Sequence, residues 1–417
     1  MTGSPEGLRI LYVSQVPPSP PRFGAQARMH GLLTNLARNH EISSISLVDQ
    51  DFDAEECARA MRQYCRDVVL VPNRNGQGGA GKRALQLRSL ASSRSFERHL
   101  YSAPALQDSL DRVLRSRRFD VVTVEVPSLA HFRLRQSPPG TRSPSLVLNT
   151  HEIAYDLARQ IGRRARGIDR RIYGGLNWRK LRREERAAFR SADGIYVCST
   201  ADQVRLLADV PLARTAVIPN AADVEFLQPR PSDPPTDRDT VLFFGLLSTV
   251  PNIDGATFLV REIWPLIVAR RPGARCKIIG ARPDESVRRL AGPGIEVIGP
   301  VDDLRPHLAA ASVVVVPLRI GGGTRLKIVE AMAMGKAIVS TSLGAEGIEA
   351  VAGRDILIAD DRASFAAEVV RALENTDLRV RLGSSARRLA VKRYSWAQAS
   401  LGLEHFFREI LATPSGF

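Results

Sequence analysis

Residues Pro317 to Thr341 hold this chain to one local architecture: Pro-Leu-Arg-Ile-Gly-Gly-Gly-Thr-Arg-Leu-Lys-Ile-Val-Glu-Ala-Met-Ala-Met-Gly-Lys-Ala-Ile-Val-Ser-Thr. The apolar run Val313 to Pro317 reads as a buried strand, and the glycines after it as a turn that opens a short helix. Gly335 stops that helix before a second strand begins at Ala337. Glycines at the mouth of a helix leave no Cβ between the backbone and a ligand. The free N–H groups and the positive end of the helix dipole there favour an anion, most often a phosphate. Glu330 lies one turn past Leu326 on the same face, so its carboxylate is near the buried side. A half-buried charge is costly unless something polar meets it, and ribose hydroxyls would serve. The segment reads as a nucleotide pocket.

The rest of the chain repeats this alternation. Leu8 to Ser14 is a β-rich run ending in a Pro-rich loop that reaches Gly24; a helical pattern covers Ala27 to Arg38, and a strand follows at Ile42 to Val48. Strand, loop, helix, strand is the start of a parallel sheet. Further strands are expected at Val68–Val71, Asp120–Glu125, Ser145–Asn149 and Gly194–Cys198, with a mobile Gly/Asn-rich loop at Asn73 to Lys82. Gln228 to Asp239 is rich in Pro and Asp and marks the clearest domain boundary. Past it, strands recur at Thr240–Gly245, Cys276–Gly280, Ile295–Ile298, Val313–Pro317, Ala337–Ser340 and Ile356–Ala359, followed by helical patterns from Ala363 to Leu411. Most of these are continuous apolar runs, as in a sheet covered on both faces. The expected organisation is an N-terminal domain over 1–227, a linker over 228–239, a second domain over 240–390, and a C-terminal helix within 391–417 that packs back on the first domain. Ligands of doubly wound sheets bind beyond the carboxyl ends of the strands, and two such edges can face one another across a cleft.

Composition narrows the class. At 417 residues the chain is too long for one ordinary core. No apolar run reaches the length needed to cross a bilayer, and Met1 to Arg9 lacks the layout of a signal peptide, so a cytoplasmic location is expected. Cys57, Cys65, Cys198 and Cys276 show neither CxxC nor Cys/His spacing. The net charge is +15, and much of the excess falls between Arg159 and Arg190, where twelve basic residues stand against Asp169, Glu184 and Glu185. With Ile161, Ile168, Ile172, Tyr173, Leu176, Trp178, Leu181 and Phe189 among them, the segment is basic and amphipathic, a pattern that suits an anionic membrane surface. A solvated helix whose arginines pair with its own carboxylates fits the same residues. No aromatic-interleaved strand or DNA-reading motif accompanies the charge, so nucleic acid is not the expected partner.

Other loops leave strand ends with polar residues. Phe244-Gly245-Leu-Leu-Ser-Thr-Val-Pro-Asn252 leads into a helix, and Pro219-Asn220-Ala-Ala-Asp223 reads by itself as a turn or helix cap. His151, in Asn149-Thr150-His151-Glu152, follows a strand end where it can meet a ligand or simply cap a helix. Asp49, Asp51 and Asp53 have the spacing of a DxD metal site beside Glu55 and Glu56, a weak signal; no metal is expected.

Gly321 to Thr341 with Leu343-Gly-Ala-Glu-Gly347, Pro219-Asn220-Ala-Ala-Asp223, Phe244-Gly245 and Arg393-Tyr-Ser-Trp396 together resemble the family 4 glycosyltransferases, in the manner of bacterial exopolysaccharide transferases. The resemblance implies an α/β GT-B fold of two Rossmann-like domains. It implies a retaining, metal-independent transfer from a nucleoside-diphosphate sugar, held by the second domain, to a glycan or lipid-linked acceptor held by the first. No cofactor is implied beyond that donor. By resemblance, Glu330 would bind the donor ribose, and the amides of Gly322, Gly323 and Thr324 would hold the diphosphate, with Arg325 or Lys327 adding charge. Gly24 and Gly245 would lie close to the donor, and His151 would contact the sugar near the reacting carbon. Two departures stand out. A glutamate that many members carry eight positions before the residue matching Glu330 is Gly322 here, and the usual Arg and Lys pair is absent from Phe244 to Asn252. A nucleotide-sugar epimerase of the same fold and a non-catalytic scaffold of a polysaccharide assembly complex are the rival expectations.

Overall fold

The computed structural model describes residues 7–75, 78–164, 167–234, 236–237 and 239–412. The leader reading over residues 1–6, Gly76 and Gln77 of the Gly/Asn-rich loop, Ala165 and Arg166 of the basic segment, Pro235 and Arg238 of the linker, and the end of the chain from Thr413 lie outside them. The chain forms two compact domains, one from residues up to Ile218 together with those from Ser400, the other from Pro219 to Ala399.

The first domain is built on a seven-stranded sheet. Its strands are β1 (Arg9–Ser14), β2 (Glu41–Val48), β3 (Asp67–Pro72), β4 (Val121–Val124), β5 (Ser145–Thr150), β6 (Gly194–Val197) and β7 (Thr215–Val217), in the order β3-β2-β1-β4-β5-β6-β7. Each neighbouring pair of strands runs parallel. Its core gathers Leu11, Val13, Ile45, Val122, Val124, Leu146, Leu148 and Ile195 with helix residues such as Leu106, Leu110 and Phe189. These strands are less apolar than those of an ordinary buried sheet. Tyr12, Ser14, Ser44, Ser46, Thr123, Glu125, Asn149 and Tyr196 are all buried. Several of them pair with one another: the Ser14 and Ser46 hydroxyls lie 2.8 Å apart, and those of Thr123 and Tyr196 3.4 Å. A buried polar group is tolerated only when it is so paired.

The second domain has six strands, β8 (Thr240–Phe244), β9 (Arg275–Ile279), β10 (Ile295–Ile298), β11 (Val313–Val316), β12 (Ala337–Ser340) and β13 (Leu357–Ile358), in the order β10-β9-β8-β11-β12-β13. Here β8, β11 and β12 are buried at every position, as their continuous apolar runs require. Both orders reverse between the first strand and the fourth, and ligands of such sheets bind at the carboxyl edge of that switch point.

Three expectations change. The first domain ends at Ile218, not at 227. Ala222 N–H donates to Tyr394 C=O at 2.8 Å and Arg387 donates to Leu227 C=O at 3.1 Å, so Pro219 to Leu227 packs as part of the second domain. The Pro/Asp segment is also no free spacer, because Asp237 and Asp239 pair with Arg275 at 2.9 Å and Arg271 at 2.6 Å. The loop expected over Asn73 to Lys82 gives way at Gly78 to a helix, Gly78–Leu90, whose Leu85 is buried. The final helix, Trp396–Ala412, does pack on the first domain from Ser400: a Cβ on Gly194 of β6 would lie 2.8 Å from both Ile410 and Phe406, so only glycine admits them. All four cysteines are buried and free. Asp53 caps the helix Ala54–Met61 by accepting from Glu55 and Glu56 N–H, while Asp49 accepts from Asn73, so the DxD run is divided between structural tasks.

Candidate functional site

Two loops of the second domain meet at the switch point. After β8, Gly245 takes φ +150, and the chain passes through Leu246 to Thr249 into the helix Val250–Phe258. After β11, Gly321 at φ +151 and Gly323 at φ +67 form the turn into the helix Leu326–Ala333. No side chain caps that helix, and its first turn holds no acidic residue, so its positive end is left for an anion. The backbone around it is braced. Asn220 Nδ2 donates to Thr324 C=O at 3.0 Å, bringing the Pro219-Asn220 turn to the glycine loop. Arg319 is held by Asp254 at 2.9 Å and Glu262 at 3.3 Å while stacking on Phe258, and so acts as a strut. Thr324 Oγ1 is buried with no hydrogen-bond partner among the described residues.

Lys327 is the cation of this site. Its Nζ donates to Asn252 Oδ1 at 2.7 Å and lies 4.3 Å from the centre of the Phe243 ring. A Cβ on Gly245 would come within 2.9 Å of that Nζ, so the glycine makes room for the ammonium. Burial, with the Arg325 charge adding to it, pushes Lys327 down to about 7. Burial likewise pushes the Glu330 carboxyl up to about 7, against the pull of Lys327. Both groups are shifted toward neutral pH by burial, which marks them as candidates for a functional site. Arg325 is differently engaged: its Nη1 donates to the carbonyls of Gly322 and Gly323, folding it over the glycine loop.

In the first domain, Gly24 is the first residue of the helix Gly24–Leu36, whose N-terminus after β1 also lacks a side-chain cap. His151 follows β5 directly, with its side chain 21% exposed and its Nε2 2.6 Å from Glu125 Oε1, a close contact without the alignment of a hydrogen bond. Glu125 follows β4 and is wholly buried. Sequence reasoning missed Glu125, whose only signal was a carboxylate closing an apolar strand. Among the described residues no group of three or more His, Cys, Asp or Glu is placed to hold a metal.

Residues 24–226 match the family described as Glycosyltransferase Family 4, and residues 238–375 match the one described as Glycosyl transferases group 1. The chain belongs to the family 4 glycosyltransferases. A phosphatidyl-myo-inositol mannosyltransferase of Mycolicibacterium smegmatis is 30% identical over 203 residues, 46% of this chain and 51% of that protein. An uncharacterized 44.6 kDa protein in the cps region of Klebsiella pneumoniae is 25% identical over 179 residues, 41% of this chain and 44% of that one. The chain thus spans about half the length of the curated relatives it matches. Among solved structures, the sucrose-phosphate synthase of Thermosynechococcus elongatus aligns with a TM-score of 0.71 at 16% identity, over 97% of this chain and 99% of that one. HepE of Anabaena, solved with UDP and glucose, aligns at 0.65 and 16% over 96% and 99%. These likenesses establish the GT-B fold, two α/β Rossmann-like domains with parallel sheets. The site just described occupies the second domain, where Lys327 reaches Asn252 of the segment after β8.

Proposed function

We propose that the protein is a retaining, metal-independent glycosyltransferase that moves a sugar from a nucleoside-diphosphate donor to a glycan or lipid-linked acceptor in bacterial polysaccharide synthesis. The observation that carries this reading is the second-domain site: an uncapped helix N-terminus behind a glycine loop, with Lys327 and Glu330 both poised near neutrality. In the proposed reaction the bond from the anomeric carbon to the diphosphate oxygen breaks, and one from that carbon to the acceptor oxygen forms. The acceptor proton leaves with the diphosphate. Negative charge grows on the departing diphosphate, where helix N–H groups and the Lys327 ammonium are already oriented, so they stabilise it without reorganisation. With no carboxylate at Gly322, the sugar is held by backbone amides and by groups the donor itself orders.

Glu330 is assigned to the ribose and His151 to the transfer step. Glu330→Ala should therefore weaken donor affinity, whereas His151→Ala should lower turnover with affinity largely kept. HepE was solved with UDP and with UDP-glucose, which makes uridine nucleotides the first donors to test. Product analysis by proton NMR tests retention through the anomeric coupling, and activity in excess EDTA tests metal independence. Loss of activity in EDTA, or an inverted product, would remove that part of the proposal.

A peripheral membrane location belongs to the same reading. No helix among the described residues is long and apolar enough to cross a bilayer. In the helix Ile168–Ser191, however, Ile168, Ile172 and Leu176 are 78%, 58% and 43% exposed at four-residue spacing, beside exposed Arg171, Arg179 and Arg183. Two of the segment's carboxylates are engaged by neutral groups: Glu184 accepts from Ser95, and Glu185 accepts from Tyr155 N–H. Exposed Leu87 and Leu90 lie on the helix Gly78–Leu90, which Lys180 joins through Ser89 C=O at 2.6 Å. An apolar ridge rimmed by arginine suits an anionic lipid surface.

A further inference from the structure

Glu125 is a carboxylate with no solvent exposure, at the end of β4 in the middle of the first sheet. Three side chains from the neighbouring strands converge on it. The Tyr12 hydroxyl, from β1, donates to Oε2. Asn149 Nδ2, from β5, donates to Oε1 at 2.8 Å. His151 Nε2, from the loop after β5, lies 2.6 Å from the same Oε1. Burying a carboxylate is expensive even when it is paired, and an apolar residue of similar volume would serve the fold as well or better. The cost is concentrated on an atom set whose one partly exposed member is His151. The neighbouring polar groups support the carboxylate and do not replace it. Burial and then the Glu125 charge push the Tyr12 hydroxyl well above its usual range, so it remains a proton donor.

We propose that Glu125 is a positioning residue for His151: it holds the imidazole with Nε2 turned into the sheet edge, leaving Nδ1 and the ring edge for the ligand. The inference rests on the assignment of His151 to the transfer step. Asn149 and Tyr12 fix the carboxylate in turn, so that the ring is held by a chain of contacts that runs across three adjacent strands. This is the geometry in which a buried carboxylate orients a histidine ring. Other charged or titratable groups around the network are Arg28, from the helix Gly24–Leu36, with its guanidinium 5.9 Å from the Tyr196 ring, together with Tyr196 and Cys198 from the β6 edge and Glu152 beside His151. Glu125 is the group in direct contact with the ring.

The test uses the full-length protein and the substitutions Glu125→Gln, Glu125→Asp and Glu125→Ala, alone and combined with His151→Ala. Two-dimensional NMR of the imidazole nitrogens should show a different balance of Nδ1 and Nε2 protonated tautomers for His151 in Glu125→Gln than in the wild type. That readout needs no substrate, so it separates failure of this inference from failure of the transferase reading. With a donor that turns over, Glu125→Ala should lower kcat by at least about tenfold while changing the donor KM by far less. Glu125→Asp should restore part of the loss. In the His151→Ala background Glu125→Ala should cost little more, because both act through one ring. An unchanged His151 tautomer balance, or fully additive losses in a folded double variant, would overturn the assignment.

Discussion

Replacing Lys327 by methionine should make the empty protein more stable and the donor site weaker. The Lys327 residue is 9% exposed, and burial holds its pKa near 7. Displacement of that size from the ordinary lysine value corresponds to about 5 kcal/mol against the charged form. Methionine keeps the length and contact with Phe243 and removes that burden. It also leaves Asn252 Oδ1 without its donor, at a cost of about 1–3 kcal/mol. The balance is a gain of about 2 kcal/mol or more, a rise in Tm of roughly 5 °C for a domain of this size. The sign carries a pH dependence. Lys327 is depressed in the folded state, so the unfolded chain binds more protons between its folded and unfolded pKa values. The wild-type burden is therefore full below about pH 7 and relieved as the pH rises toward 10, and the advantage of Lys327→Met should shrink over that range. Binding runs the other way: a charged hydrogen bond to a phosphate contributes about 1.5–3 kcal/mol, so nucleoside-diphosphate affinity should fall roughly ten- to hundredfold. Differential scanning calorimetry and titration calorimetry on the same samples measure both. A lower Tm with unchanged nucleotide affinity would refute the reasoning, since it would make Lys327 a structural residue.

Gly280→Ala should unfold the edge of the site, because its Cβ would fall 1.7 Å from the Gly245 carbonyl oxygen, a backbone atom that cannot turn aside; chemical denaturation should show a loss of about 3 kcal/mol or more. Donor affinity should peak near pH 7, falling at lower pH as Glu330 protonates and at higher pH as Lys327 loses its proton; calorimetry at pH 8 in buffers of different ionisation enthalpy should show proton uptake on binding, and no uptake would place the diphosphate away from Lys327. Ile168→Glu/Ile172→Glu/Leu176→Glu should abolish sedimentation with phosphatidylglycerol vesicles while leaving Tm unchanged, since all three side chains face solvent; retained binding would make the ridge irrelevant to lipid.

Much of this was legible in the residues. The second sheet announces itself because β8, β11 and β12 are continuous apolar runs, and helical spacing puts Glu330 one turn past Leu326 on the buried face, while Lys327 enters only through the family resemblance. What failed depended on distant partners. Glu125 reads as the end of a strand until the sheet order brings Tyr12 next to it from 113 residues away. Asn220 looks like a turn residue until its amide meets Thr324 C=O across 104 residues. The boundary at Ile218 was hidden for the same reason. Proline and aspartate mark Gln228 to Asp239 as irregular, but ion pairs to Arg271 and Arg275 decide which body that segment joins. Gly78 shows the local limit: glycines argue for a loop, and the helix that begins there is carried by Leu85 packing further on.

The most direct test of the donor-site assignment is titration calorimetry of UDP, GDP and ADP, each with its common sugars, into the wild type and Glu330→Ala. The account predicts that one nucleotide class binds with its sugar and that Glu330→Ala weakens it at least about tenfold through the lost ribose contacts. No binding across the panel, or equal affinity in Glu330→Ala, would contradict it.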